Sequence, residues 1–259
     1  MEARAQPSPA ASLACACEPP SLIAEASARP PKRRDSTIAI DGIDLLADLS
    51  GALYWPDEGL LVIADLHLEK GSAYAVHGLL LPPYDTATTL ERLAWVIAFY
   101  DPRIVVALGD SFHDRGGASR LGDEDRAALI SLQHGRDWVW VAGNHDPDPA
   151  RGVGGEFAQS VACGRLQFRH EPSAERRSGE IAGHLHPSAR VSQRGRTLIR
   201  RCFAANERRL ILPAFGAYAG GLNVRDRAFL KVFRALSFTA HLIGDQSIYA
   251  LPASRCLPR

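Results

Sequence analysis

An α/β fold built on a mostly parallel sheet is what this sequence predicts, and three observations predict it. Short unbroken apolar runs recur at Leu60-Leu61-Val62-Ile63-Ala64, Ile104-Val105-Val106-Ala107-Leu108 and Trp138-Val139-Trp140-Val141-Ala142; such runs read as strands buried on both faces. Helical periodicity fills the stretches between them, so strand, helix, strand, helix, strand alternate over residues 60–141, the pattern of crossover connections. Each run also ends in polar groups, and in folds of this class ligands gather beyond the carboxyl ends of the strands.

Taken in order, Thr37-Ile38-Ala39-Ile40 and Ala52-Leu53-Tyr54-Trp55 read as short antiparallel strands leading into the first buried one, with Asp41-Gly42 suited to a turn. Glu69-Lys70-Gly71 begins a loop or short helix, and Leu79-Leu80-Leu81-Pro82-Pro83 forms an irregular apolar lip. A helix opens at Asp85 and continues to about Tyr100, with Leu90, Leu93, Ala94, Ile97 and Ala98 on one face and Pro102 helping to end it. A second helix covers residues 122–134, where Asp123, Glu124 and Asp125 complement the dipole of its first turn. From Val161 onward the strands come closer together, and Thr197-Leu198-Ile199 and Arg209-Leu210-Ile211-Leu212 read as part of a second sheet. The glycine-rich segment 214–221 reads as a loop approaching the site.

The polar residues at the strand ends share one chemistry. Asp65-x-His67 offers a hard oxygen and a borderline nitrogen to a divalent cation. Gly109-Asp110, Gly143-Asn144-His145-Asp146 and Gly183-His184-Leu185-His186 each follow an apolar run, and Leu166-Gln167-Phe168-Arg169 ends in His170. A glycine at such a junction lets the backbone turn sharply or approach a ligand closely.

In this order the motifs resemble the full signature of the calcineurin-like metallophosphoesterase superfamily, over roughly residues 60–187. The resemblance implies a four-layer α-β-β-α sandwich of two mixed sheets, with a dinuclear metal site at the carboxyl-terminal edge of the strands. It implies one cation held by Asp65, His67, Asp110 and His186 and a second by Asp110, Asn144, His170 and His184. Asp110 is the shared ligand, since cations ~3.5–4 Å apart need one in common, and a water acidified by both becomes the hydroxide that attacks phosphorus in line. His145 is expected over the phosphate, stabilising the transition state and protonating the leaving oxygen, with Asp146 orienting it through a hydrogen bond. Manganese is the expected metal, although the same donor set accepts iron or zinc. His113 and Asp114 follow Asp110 closely enough to face the cleft, where an active role and a bystander's place are equally open. His77, His134 and His241 read as surface or satisfied core histidines.

Residues 186–234 carry eleven arginines and lysines against only Glu207 and Asp226. Such a surplus beside a phosphoesterase centre fits a polyanionic substrate, and fits equally a solvated basic face balanced elsewhere. The segments 64–71, 108–114 and 212–216 resemble one bacterial branch, the ligase-associated DNA damage response endonucleases (PdeM). That branch implies a phosphodiesterase acting on DNA in repair, in functional association with a DNA ligase and a helicase. Two other readings stand beside it: a phosphoesterase of nucleotides or nucleotide-sugars, and a non-catalytic metal-bound scaffold.

Composition bounds these readings. The chain has 259 residues, 46% of them hydrophobic, ample for one large domain. Its net charge of +1 demands no polyanionic partner, and no apolar run approaches the ~18 residues of a membrane span. Five cysteines without zinc-type spacing read as free thiols in a reducing cytoplasm. The first 35 residues are rich in Ala, Pro and Ser and lack an apolar stretch after a basic start, so no secretory signal is expected. Residues 1–36 are expected to be a disordered tail, or upstream sequence from a misassigned start codon, and residues 37–259 a single metallophosphoesterase domain.

Overall fold

The computed structural model describes residues 11–12, 36–175 and 178–258. A two-residue strand, β1 (Ala11–Ser12), comes first, followed by a seven-stranded sheet whose spatial order is its chain order. Its strands are β2 (Ser36–Ile40), β3 (Ile43–Ala47), β4 (Leu53–Trp55), β5 (Leu60–Ile63), β6 (Ile104–Leu108), β7 (Asp137–Val141) and β8 (Glu156–Ala158). Pairing is antiparallel from β2 to β5 and parallel from β5 to β8. The helices α1 (Lys70–Val76), α2 (Asp85–Tyr100), α3 (Gly117–Arg120) and α4 (Asp123–Gln133) lie within its crossovers.

The second sheet contains β1, β9 (Val161–Cys163), β10 (Leu166–Arg169), β11 (Glu180–Ala182), β12 (Pro187–Gln193), β13 (Arg196–Ala205), β14 (Arg209–Ile211), β15 (Leu222–Asn223), β16 (Thr239–Ile243) and β17 (Ile248–Pro252). It is mixed as well: β10, β11 and β14 run parallel, while β13 is antiparallel to β12, β14 and β16.

Apolar residues decide how the sheets stack. Leu60, Val62, Val106 and Val139 of the first sheet meet Phe168, Ile181, Phe203 and Leu210 of the second in one buried seam. The alternate residues Leu61, Ile63, Val105 and Trp138 point outward, into a core shared with Leu90, Leu93, Val96 and Ile97 of α2 and Leu129 of α4. The outer face of the second sheet packs on Phe229 and Phe233 of α5 (Arg227–Phe233) and on Ala253 and Cys256 near the carboxyl end. This is the expected four-layer sandwich, with its fourth layer reduced to one seven-residue helix and a turn.

Several elements depart from expectation. Asp41 and Gly42 do turn the chain, both at positive φ (52° and 80°), but into β3, a strand the sequence reading passed over. On α2 the buried stripe runs through Thr86, Thr89, Leu90, Leu93, Val96 and Ile97, so Val96 is core where Ala98 was expected. The hydroxyl of Thr89 is accommodated there by donating to the Asp85 carbonyl at 2.7 Å. The loop 214–221 docks on the end of β5, Phe215 N donating to the Ala64 carbonyl and Gly216 N to that of Asp65. In the apolar lip Leu79 and Leu80 are exposed. Of the expected tail, Ser36 opens β2 and β1 pairs with Val161 and Ala162; the rest, with Cys15 and Cys17, lies outside the described residues. Cys163, Cys202 and Cys256 are buried, the last two as free thiols. Among the described residues no helix is long and apolar enough to cross a membrane.

Candidate metal centre

The site forms where the strands of both sheets run out. Asp65 and His67 follow β5, Asp110 follows β6, Asn144 follows β7, His170 follows β10, and His184 and His186 follow β11. Five of these seven expected ligands, Asp65, His67, Asp110, His184 and His186, have φ between +44° and +69°. That left-handed region is uncommon for residues with a Cβ and clusters at functional sites. Here it turns Asp65 and His67 toward one point and divides His184 and His186 between two adjoining ones, whereas a continuing strand would carry their shared face past the site. Gly109 (φ +70°) is needed for a second reason: a Cβ there would lie 2.6 Å from Cγ of His170.

Two groups of donors result. Asp65, His67 and His186 present ligand atoms that all lie within 4.8 Å of one another, and so do Asp110, His170 and His184. Asn144 joins the second group, its Oδ1 2.8 Å from His170 Nε2. The groups adjoin, with His170 Nδ1 3.6 Å from Asp65 Oδ1 and His184 N donating to Asp65 Oδ2 at 2.9 Å. His170 Nδ1 also donates to the Leu108 carbonyl at 2.9 Å, which leaves the Nε2 lone pair directed into the site. His67 Nδ1 has no partner among the described residues; its ring is held between those of His113, His145 and His186.

Cations fit this donor set. Imidazole nitrogens face each other at 3.2 Å (His67 and His186 Nε2) and 3.1 Å (His184 Nδ1 and His170 Nε2), contacts in which at most one nitrogen can donate. The Asp65 and Asp110 side chains are 0% and 3% exposed, and the side-chain ion partners seen for them are histidines. Buried carboxylates need compensating charge. Burial, followed by neighbouring cations, pushes His67 down to about 2, and burial also lowers His184. Burial opposes protonation of His186 too, but the hydrogen bond and charge of Asp65 outweigh it and raise that group. Imidazoles and carboxylates converging in two adjoining groups suit a dinuclear divalent site.

His145 lies at the open side, its side chain 40% exposed and its ring 5.3 Å from that of His67. Its main-chain N donates to Asp110 Oδ1 at 2.9 Å. The expected orienting bond from Asp146 is corrected by the structure. Asp146 Oδ2 accepts from Ser111 N (2.8 Å) and Phe112 N (3.1 Å), tying the Asn144 turn to the Asp110 turn. His145 Nδ1 instead donates to the His113 carbonyl at 2.7 Å. Burial pushes the Asp146 carboxyl up to about 6, against those two amide bonds. His113 thus faces the cleft, its ring 5.4 Å from His145, while Asp114 is turned aside into a two-oxygen contact with Arg120 at 2.9 Å.

Two residues of α1 escaped the sequence reading. Tyr74 sets its ring 5.5 Å from that of His113, and Lys70 donates to the Tyr218 carbonyl at 2.9 Å, closing the cleft between α1 and the 214–221 loop. Lys70 stands out in the sequence only within the 64–71 segment, and Tyr74 carries no signal of its own.

The calcineurin-like phosphoesterase family model matches residues 60–201, a span containing every one of the expected ligands. Among solved structures, the crystal structure of the Pseudomonas putida nuclease MPE aligns with a TM-score of 0.65 at 25% identity, covering 84% of this chain and 100% of that one. Comparison with curated proteins finds no match. A family match over more than half of the chain, on a fold and a donor set that suit it, establishes that the protein belongs to the calcineurin-like phosphoesterase family, as a metal-dependent phosphoesterase.

Proposed function

We propose that the protein is a nuclease that hydrolyses phosphodiester bonds in DNA. Its likeness to nuclease MPE along the whole of that chain carries the reading. Asp65, His67, Asp110 and His186 would hold one divalent cation and Asp110, Asn144, His170 and His184 the other, with Asp110 common to both. A bound pair supplies Lewis acidity toward the phosphate and an acidified water.

The chain's own residues do the rest. The His113 carbonyl fixes the proton on His145 Nδ1, so Nε2 is the free end at the open side of the cleft. Once protonated there, it can donate a hydrogen bond to a phosphoryl oxygen and hand that proton to the leaving alkoxide. Asp146 and Asp110 hold the turn carrying His145 through main-chain bonds, and so act on its position. The finer reading takes manganese as the metal from the superfamily resemblance, a reducing cytoplasm from the cysteines, and a role in DNA repair alongside a ligase and a helicase from the branch resemblance.

His145→Ala is expected to lower turnover by ~10²–10⁴-fold, with two equivalents of metal still bound by elemental analysis. Wild-type rates in that variant would remove His145 from the chemistry. Purified protein with manganese, offered single-stranded DNA, duplex DNA, a cyclic nucleotide and a chromogenic diester, tests the substrate. Turnover confined to the small diesters would establish the small-molecule reading in its place.

A further inference from the structure

The hairpin β12–β13 leaves the site in one direction. β11, β14 and β12 share a sense, because β13 is antiparallel to both β12 and β14 and β14 is parallel to β11. β12 begins at Pro187, directly after His186, where β11 has already ended. It therefore continues beyond the edge that holds the metal ligands. The seven residue steps from Pro187 to Arg194 reach about 23 Å at ~3.3 Å per residue.

The charge on this arm is of one sign. From Pro187 to Ala205 it has five arginines and no Asp or Glu. Those at its base are engaged: Arg201 donates to the Ala214 and Ser50 carbonyls, Arg200 pairs with Asp245 at 3.2 Å, and Arg190 reaches the Pro258 carbonyl. Arg194 and Arg196, at the tip, are exposed, and their guanidinium groups have no ion pair or hydrogen-bond partner among the described residues. Arg194 also holds φ +51° beside Gly195 at +74°, a two-residue turn whose first position Asn, Asp or Gly fills at least cost. A long cation at a strained position, with no side-chain partner among the described residues, points to a partner outside the fold.

We infer that this hairpin is a backbone-binding arm for the polynucleotide, with Arg194 and Arg196 neutralising phosphates ~20 Å or more from the scissile bond, several nucleotides along a strand. This rests on the nuclease reading and adds a length requirement to it.

The test compares wild type with the double variant R194G/R196Q on single strands of about four and about twenty nucleotides, and on a chromogenic diester too small to reach the arm. Glycine relieves the turn, so the variant should melt no lower than wild type. The expected result is a KM for the long strand raised ~10-fold or more with kcat kept, and a log–log salt slope shallower by about 1.4. The short strand and the diester should be unaffected. Equal effects on long and short strands, or an unchanged salt slope, would overturn the arm while leaving the nuclease reading intact. Failure of wild type to cut either strand while it turns over the diester would overturn both.

Discussion

The two sheets reach the same site by different physics. The first is four parallel strands and an antiparallel lead-in, its β5 and β6 buried at every position and covered outside by the long helices α2 and α4. The second has strands of two to ten residues under a thin outer layer, and it holds a buried ion pair, Glu180 with Arg209. Neither sheet owns a complete ligand group. The first contributes Asp65 and His67 to one and Asp110 and Asn144 to the other; the second contributes His186 to one and His170 and His184 to the other. Each cation would therefore sit across the seam, and binding would draw on the stability of both halves.

Arg209 is where the second sheet is most exposed to damage. Facing Glu180 across β11 and β14, it is 5% exposed and approaches Glu180 Oε2 at 3.2 Å, an ion contact more than an aligned hydrogen bond. It also donates to the Ser173, Val232 and Glu175 carbonyls, so it stitches α5 and the 171–175 loop to the sheet. Arg209→Met should cost about 3–5 kcal/mol, because the buried Glu180 then has only Arg169, at 3.6 Å, as a cation, beside the Ser173 amide at 2.7 Å. Adding Glu180→Leu should restore most of that. A single-variant denaturation midpoint equal to wild type would show that the thin layer needs no such stitch.

Metal removal tests the seam itself. A ligand present at a hundred times its dissociation constant stabilises by ~2.7 kcal/mol, which for a chain of this size is a Tm shift of about 5–10 °C. Chelation should lower Tm by that amount and open both halves to proteolysis together. Loosening confined to residues 161–258 would mean that the cations belong to the second sheet alone.

A smaller effect is expected at Gly109, where the first sheet meets the His170 ring of the second. Gly109→Ala places a methyl against the His170 ring and forces the residue to keep φ +70°. Displacing that imidazole should weaken the second cation by ~10–100-fold and leave the first nearly unchanged. Equal loss at both sites in a metal titration would show that Gly109 acts on the whole edge.

The contrast between the sheets also explains what the sequence revealed. β5, β6 and β7 are unbroken apolar runs closed by distinctive polar pairs, and every expected ligand was legible there and at the ends of β10 and β11. In the second sheet β17 alternates little and is mostly exposed or half-buried, and α5 buries only Phe229 and Phe233 over seven residues, so neither period stands out. Within the site, Asp146 was misread because sequence adjacency to His145 suggested a bond that the fold gives to Ser111 and Phe112. The true orienter is a main-chain carbonyl, which leaves no trace in residue identity. The ligands at positive φ are likewise places where local preference is overruled by the site.

The smallest expected effect concerns His241, a half-buried imidazole of the second sheet outside the site, for which the first sheet has no counterpart: His77 and His134 are exposed. Burial lowers the affinity of His241 for a proton, and its Nδ1 has no hydrogen-bond partner among the described residues. In the unfolded chain the same group titrates near ~6.5, so below that pH the unfolded state binds the extra proton first. Stability from this residue is intact at neutral pH and falls as pH drops through ~6.5, by at most ~1.4 kcal/mol per pH unit. His241→Leu should flatten the pH dependence of the unfolding free energy between pH 7 and pH 5 by up to that slope. Because the ring lies far from the metal ligands in the chain, the change should appear in metal-loaded protein as well. Parallel stability curves for wild type and variant would show that this imidazole finds compensation on protonation, and that the thin side of the sandwich admits water more freely than its packing indicates.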